Sequence, residues 1–175
     1  MNLGSIIKIA WRIVILDEEE IKKAKNKIKN SDLVWIVIII SGIATFVGQY
    51  TVTRRYLFAP DFIWLTYHSV SVIILIFLFI LFSYLLAYNT LQKVHWNDFF
   101  VPAGLGALIT WITIIPYFTI VALWYVAVLY TVIKIIFKSS VEKASLIVLG
   151  SVVITILVYN LLTFWLGWPS LYWFI

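Results

Sequence analysis

The side chains in this sequence best suited to acid–base chemistry or metal binding are its two histidines, His68 and His95. They are 27 residues apart, about 40 Å along a single helix, whereas the ligands of a metal or haem must converge within a few ångströms. The chain has no further histidine and no cysteine to complete such a site. We therefore predict no metal and no cofactor, and expect each histidine to bond to water or a loop carbonyl at the end of a helix.

A second candidate for chemistry is the pair formed by His95 and Asp98, which are three residues apart and would share one helical turn. With no nucleophile or third ligand nearby, this spacing is more typical of a helix start, in which Asn97 or Asp98 caps the apolar run that follows. The sequence also lacks a glycine-rich phosphate loop, a zinc-ligand pair and a nucleophile elbow. We therefore predict no catalytic residues and a protein that is not an enzyme.

Composition limits the elements that could position any such residues. Of the 175 residues, 63% are hydrophobic and 12% are charged, whereas soluble domains are about 45–50% apolar and about 25% charged. A soluble fold of this length could not bury so much apolar surface, so the sequence predicts an all-α bundle of transmembrane helices with the lipid bilayer as its partner. The basic residues behind the net charge of +5 flank the apolar stretches. This placement indicates that they orient the helices in the membrane rather than bind nucleic acid.

Charged residues divide the apolar part of the chain into segments. A membrane span needs about 20 apolar residues, and residues 33–53 and 62–92 each supply one uncharged stretch. The uncharged stretch 99–133 would be about 52 Å long as a single helix, too long for one crossing, and Pro116 near its middle should break it. We therefore predict five transmembrane helices. Their ranges are 33–53, 62–92, 97–115, 117–137 and 144–166.

The distribution of Lys and Arg supports five spans and predicts their orientation. With the N-terminus inside, 11 Lys and Arg residues fall in inside segments and only Arg54 and Arg55 fall outside. Treating 99–133 as one helix changes the division to eight against five. Because cytosolic loops carry the excess of basic residues, the sequence favours an N-terminus inside and a C-terminus outside.

The first 32 residues are expected to form a cytosolic helical segment. In residues 1–16, Ser5, Lys8 and Arg12 share one face opposite an apolar face, which fits either a helix lying in the membrane surface or one packed on the bundle. Residues 17–30 are charged, with Glu-before-Lys pairs four residues apart (Glu18 with Lys22, Glu19 with Lys23). Such a helix is either simply solvated or a docking site for a cytosolic protein.

The predicted spans carry no charge at their centres, and intramembrane charges are the usual mark of pumps and ion-coupled carriers. The uncharged polar residues that could line a path are scattered along the chain. They are Ser41, Thr45, Gln49, Asn89 and Asn160. The small residues at 104–107 (GLGA) are expected to allow close helix packing.

Residues 96–157 resemble the Yip1 domain family. The similar features are an aromatic start at 96–100 (WNDFF), a helix that reaches Pro116, a tryptophan at Trp124 within the next helix, and a short basic loop at 138–144 (KSSVEKA) that opens the last helix. This resemblance implies a five-span, non-enzymatic membrane protein. In eukaryotic members of the family a cytosolic N-terminal segment takes part in vesicle traffic and contacts small GTPases.

Three functions follow as hypotheses. The first is a Yip1-like scaffold or adaptor that uses residues 1–32 to engage a cytosolic protein or the membrane surface. The second is an accessory subunit that binds other membrane proteins in a larger complex, for example a respiratory one, and the aromatic-rich tail 165–175 favours it. A channel or carrier is the third. Ile outnumbers Leu and Met is rare, a mixture typical of prokaryotic and archaeal chains, so the expected location is a prokaryotic cell membrane.

Overall fold

The computed structural model describes residues 3–28, 31–56, 62–115 and 123–167. Within these ranges the chain is helical and contains no strand. The described ranges form seven α-helices and one 3₁₀ segment. The α-helices are α1 (Leu3–Val14), α2 (Glu18–Lys27), α3 (Asp32–Tyr56), α4 (Phe62–Thr90), α5 (Trp96–Gly106), α6 (Trp124–Ile136) and α7 (Val141–Leu166), and the 3₁₀ segment is Ala107–Ile114.

Four helical stretches in the described part of the chain are long and apolar enough to cross a membrane. They are Asp32–Val52, Phe62–Thr90, Trp96–Ile114 and Val141–Leu166. Large apolar side chains remain exposed along them, for example Ile36, Ile39 and Ile43 on α3. Their spacing of three and four residues forms one helical stripe, which can only be solvated favourably by lipid. The chain is thus a helical membrane protein with several spans.

Three of the predicted spans lie within a few residues of observed helices. The first predicted span, 33–53, corresponds to α3. The second predicted span corresponds to α4, which ends at Thr90 rather than at residue 92. The last corresponds to α7, which begins at Val141 rather than at residue 144. It begins there because the Ser140 side chain caps the helix by accepting a hydrogen bond from the backbone N–H of Lys143. Of the fourth predicted span, 117–137, the structure describes residues 123–137. Within them Trp124–Ile136 form α6, which is about 20 Å long. Pro116 and the aromatic tail after residue 167 lie outside the described residues.

The third predicted span, 97–115, is not a continuous α-helix. It changes from α5 to the 3₁₀ segment at Ala107. Two threonines there donate to carbonyls three residues back, Thr110 to Ala107 (2.6 Å) and Thr113 to Thr110 (2.8 Å). Side chains that bond locally to the backbone compete with the regular α-helical pattern. The tighter winding gives this stretch a longer rise per residue.

Helix α5 and the 3₁₀ segment form the most enclosed of the four apolar stretches, and α3 packs against both of them and against α4. A side chain at Gly48 would overlap the carbonyl oxygen of Thr113, so only glycine permits this backbone approach. Gly104 likewise lies against Val34 of α3, and Gly106 lies against Val128 of α6. The small residues at 104–107 therefore serve close helix packing, as their sequence suggested.

A polar seam joins α4 to α7, and we use this name for the two side-chain pairs that cross their contact. The Ser83 hydroxyl donates to Ser151 (2.9 Å), and the Tyr159 hydroxyl donates to Ser71 (2.6 Å). All four side chains are buried. Because the pair closer to the start of α4 involves the residue closer to the end of α7, the two helices are antiparallel. Small and hydroxylated residues of this kind are typical of contacts between membrane helices.

Candidate functional site: a charged helix pair held on the bundle

Helices α1 and α2, which we call the N-terminal helix pair, form the part of the described structure with the most charge on its surface. Helix α1 buries Ile6, Ala10 and Ile13 against α5, α6 and the 3₁₀ segment. A second apolar edge, Ile7 and Trp11, stays exposed. Of the two arrangements that the sequence allowed, the structure shows α1 packed on the bundle, and the exposed edge leaves room for lipid contact as well.

Helix α2 has one buried face and one charged face. Ile21, Ala24 and Ile28 are at most 2% exposed and join the hydrophobic core. The opposite face carries the two predicted ion pairs, Glu18–Lys22 at 3.9 Å and Glu19–Lys23 at 2.9 Å. The helix is therefore neither free in solvent nor buried, and it presents fixed charges to the surroundings.

A tight turn connects the two helices. Leu16 has a φ of 63°, in the left-handed region. Its N–H bonds to the carbonyl of Ile13, and the N–H of Asp17 bonds to the carbonyl of Arg12. This is the Schellman arrangement that ends many helices. The Trp124 indole N–H donates to the Val14 carbonyl (2.9 Å), so a side chain from α6 satisfies the end of α1.

An ionic network, which the sequence analysis did not predict, ties α1 to α2. Arg12 contacts Asp17 (Nη2 to Oδ2, 2.6 Å) and Glu20 (Nη1 to Oε2, 3.0 Å), and Lys27 contacts the other Glu20 oxygen at 2.5 Å. The Glu20 side chain is only 2% exposed, although both cations reach water. Arg12 reaches its two partners across the turn at Leu16, five and eight residues away, so their contacts could not be read from helical spacing. Glu20 and Lys27 lie seven residues apart on α2, also outside the four-residue spacing of the predicted ion pairs.

Hydrogen bonds to carboxylates shift several pKa values in the helix pair. The backbone N–H of Glu20, followed by the Arg12 side chain, lowers the pKa of the Asp17 carboxyl. The Lys23 side chain lowers the pKa of Glu19, and Glu19 in turn raises the pKa of Lys23. Each of these interactions favours the charged form of Asp17, Glu19 or Lys23.

A polar cleft of about 510 Å³ separates α2 from the loop before α5. It is lined by Lys22 and Asn26 of α2, by Lys93 and His95 of the loop, and by Asp98 of α5. The cleft brings together basic groups that are about 70 residues apart in the sequence. Its amines, imidazole and amide can bind an acidic side chain of a docking protein.

The two histidines remain far from each other, as their spacing predicted. His95 is exposed at the start of α5. His68, by contrast, is 2% exposed, and its ring lies 3.8 Å from the ring of Trp64 between centroids. The structure thus shows that α4 turns His68 toward the bundle, while its bond to water or a loop carbonyl stays a prediction. Within the described ranges, no group of three or more His, Cys, Asp or Glu side chains could hold a metal ion.

The polar residues considered for a transport path fall on three helices, with Ser41, Thr45 and Gln49 four residues apart along α3. Ser41 and Thr45 lie on the face of α3 that packs on the 3₁₀ segment, where they bond to Ala107 (3.4 Å) and Thr113 (3.1 Å). Asn89 is exposed near the end of α4. Asn160 lies on α7, which packs on α4 and α6. The hydroxyls of Ser41 and Thr45 thus serve the contact between α3 and the 3₁₀ segment.

Comparison of the chain with profiles of known protein families, with curated proteins and with solved structures finds no match. The resemblance to the Yip1 domain family therefore rests on the residues between 96 and 157 alone and stays a prediction. The prokaryotic or archaeal source also stays a prediction.

Proposed function

We propose that this protein is a non-enzymatic membrane scaffold or adaptor of the Yip1-like type, which binds a cytosolic protein through its N-terminal helix pair. The observation that carries the proposal is the ionic network around Glu20, together with the apolar packing beneath it. A docking surface binds better when it is ordered before the partner arrives. The network and the Trp124 bond hold α2 in one position on the bundle.

The proposal includes five spans with the N-terminus inside. Two features support it. Lys22 and Lys93 line the same polar cleft, and the Gln92 side chain donates a hydrogen bond to the carbonyl of Ile136 at 3.3 Å. Three of the predicted inside segments therefore meet at one end of the bundle, which we call the basic end. If 99–133 crossed the membrane only once, Ile136 would lie at the opposite end from Gln92.

The topology can be tested with single cysteines, because the chain has none of its own. Glu142→Cys, in the exposed first turn of α7, should react with a membrane-impermeant thiol reagent only after the membrane is opened. Arg54→Cys near the end of α3 should react in intact cells or spheroplasts. Labelling of position 142 from outside would refute the five-span arrangement.

The adaptor function can be tested by photo-crosslinking in native membranes. A photoreactive residue is placed at Lys23, on the exposed face of α2, and a matched one at Leu157, on the exposed face of α7. We expect a crosslink to a soluble protein from position 23 only. The double charge exchange Glu18→Lys with Lys22→Glu retains an ion pair but reverses the surface pattern, and it should abolish that crosslink.

An accessory subunit of a larger membrane complex is the second candidate. The observation in its favour is the apolar face of α7, which stays exposed from Leu146 (70%) to Trp165 (78%). Lipid can cover this face, and so can another membrane protein. A crosslink from position 157 to one integral membrane protein, with none from position 23, would establish the accessory subunit and overturn the adaptor.

A further inference from the structure

The antiparallel helices α4 and α7 leave an apolar groove of about 360 Å³ on their outer side at the basic end. Aliphatic side chains and one glycine form most of its lining: Leu86, Leu91, Leu146, Ile147, Gly150 and Ile154. Its polar residues are Thr90, at the end of α4, and Lys143, in the first turn of α7. The groove is thus apolar along its length and carries a positive charge at one end.

The length of the groove matches one leaflet of a bilayer. From Lys143 to Ile154 the chain rises about 16 Å at 1.5 Å per residue, and half of a ~30 Å hydrocarbon core is about 15 Å. Leu146, only one turn beyond Lys143, is 70% exposed, so contact with lipid extends down to this level. The groove thus ends about halfway across the bilayer, the depth that one acyl chain of a lipid reaches.

Gly150 creates the depth of the groove. A Cβ atom added there would lie 3.4 Å from Leu86 Cδ1, an ordinary contact distance. A larger side chain at this position would therefore occupy part of the groove.

The charge at the end of the groove points to an anionic occupant. The ion pairs in the described part of the chain do not include Lys143, so its ammonium group is available. The first turn of α7 also places the positive end of a helix dipole nearby. An ammonium group close to a membrane surface attracts anionic lipid by about 1 kcal/mol.

We propose that this groove binds an anionic phospholipid, with one acyl chain along Gly150 and the headgroup phosphate paired with Lys143. The site is independent of the N-terminal helix pair and of any protein partner. It would fix one lipid of the leaflet at the basic end against the contact between α4 and α7.

Native mass spectrometry of the full chain tests the proposal. The protein is released from nanodiscs that contain phosphatidylglycerol as the minor lipid and phosphatidylcholine as the major lipid, and bound lipid is counted. We expect retained phosphatidylglycerol in excess of its share. Lys143→Gln should lower this retention about fivefold, the change that about 1 kcal/mol produces, and should leave phosphatidylcholine unchanged. Gly150→Leu should lower the retention of both lipids.

Matched controls separate the groove from general effects. Lys138→Gln removes a neighbouring charge that does not line the groove, and Val153→Leu adds bulk on an exposed face of the same helix. Both should retain lipid as the unmodified chain does. Equal retention by the Lys143→Gln and unmodified chains, or no preference for phosphatidylglycerol, would overturn the proposal. Displacement of the lipid by inorganic phosphate would also overturn it, because the site would then bind a soluble anion.

Discussion

Replacement of Glu20 by Gln should loosen the N-terminal helix pair while leaving the rest of the bundle intact. The substitution keeps the size of the side chain and one hydrogen-bond acceptor, but removes the charge that holds Arg12 and Lys27 together. Breaking a fully buried ion pair costs about 3–5 kcal/mol, whereas an exposed pair is worth about 0–1 kcal/mol. Glu20 is buried, but its partners are 46% and 41% exposed and can be hydrated. We therefore expect an intermediate cost of about 1.4 kcal/mol, or about tenfold in the opening equilibrium.

Hydrogen–deuterium exchange in detergent or nanodiscs measures this opening directly. The amides of α2 should exchange about tenfold faster in Glu20→Gln, while those of α4 should not change. Glu18→Gln is the matched control, since Glu18 is 58% exposed and lies 3.9 Å from Lys22. An exposed pair of this kind contributes at most about 0.5 kcal/mol, about a twofold change. Equal exchange in the two variants would refute the assignment of the network as the link between α1 and α2.

Three further predictions follow from the packing and the charges. Tyr159→Phe removes the hydrogen bond to Ser71 in the polar seam. It should lower the free energy of unfolding, measured in mixed micelles, by about 0.6 kcal/mol and at most by about 1.7 kcal/mol. Gly48→Ala places a methyl group on the Thr113 carbonyl and should cost about 1–3 kcal/mol in the same assay. Protection of α2 from exchange, corrected for intrinsic rates, should fall when the pH drops from 7 to 3. The pKa of Asp17 in the folded protein is lower than its ordinary value of 3.8, so the charged carboxylate stabilises the native state at pH values above 3.8. This stabilisation is lost as the pH falls through the folded-state pKa.

Each of these predictions has a control. Ser71→Ala combined with Tyr159→Phe should cost less than the sum of the single changes, and strict additivity would contradict a direct bond. Gly150→Ala adds a methyl group at an ordinary contact distance, so a cost equal to that of Gly48→Ala would show that steric overlap is not the cause. An Asp17→Asn chain should lose much of the pH dependence of α2, and a dependence as large as in the unmodified chain would exclude Asp17 as its source.

The helices could be predicted from the sequence because charge and apolar length act locally. A bilayer accepts only uncharged stretches of sufficient length, so α3, α4 and α7 begin and end within a few residues of the predicted ranges. The ion pairs on α2 followed from the same kind of local rule, since residues four apart always meet on a helix. The change to 3₁₀ winding at Ala107 was missed, because it depends on how Thr110 and Thr113 bond to the backbone.

The candidate sites were less accessible to sequence reasoning. The uncharged polar residues singled out from the sequence do not include those of the polar seam, which is made of hydroxyls from Ser71, Ser83, Ser151 and Tyr159. A signal did exist: Ser151 and Tyr159 are eight residues apart and so share a face of α7. The groove at Gly150 gave no such signal, because its other wall comes from a helix more than 50 residues away.

Composition and charge spacing are enough to identify a helical membrane protein and to locate most of its apolar helices, because partition into lipid depends on the composition of each stretch. Which face of each helix is buried became known from the packed bundle. The tertiary structure placed His68 inside the bundle, joined Arg12 to Glu20 across a turn, and opened the groove between α4 and α7. These features depend on contacts between residues far apart in the chain, and such contacts are set by helix packing rather than by local pattern.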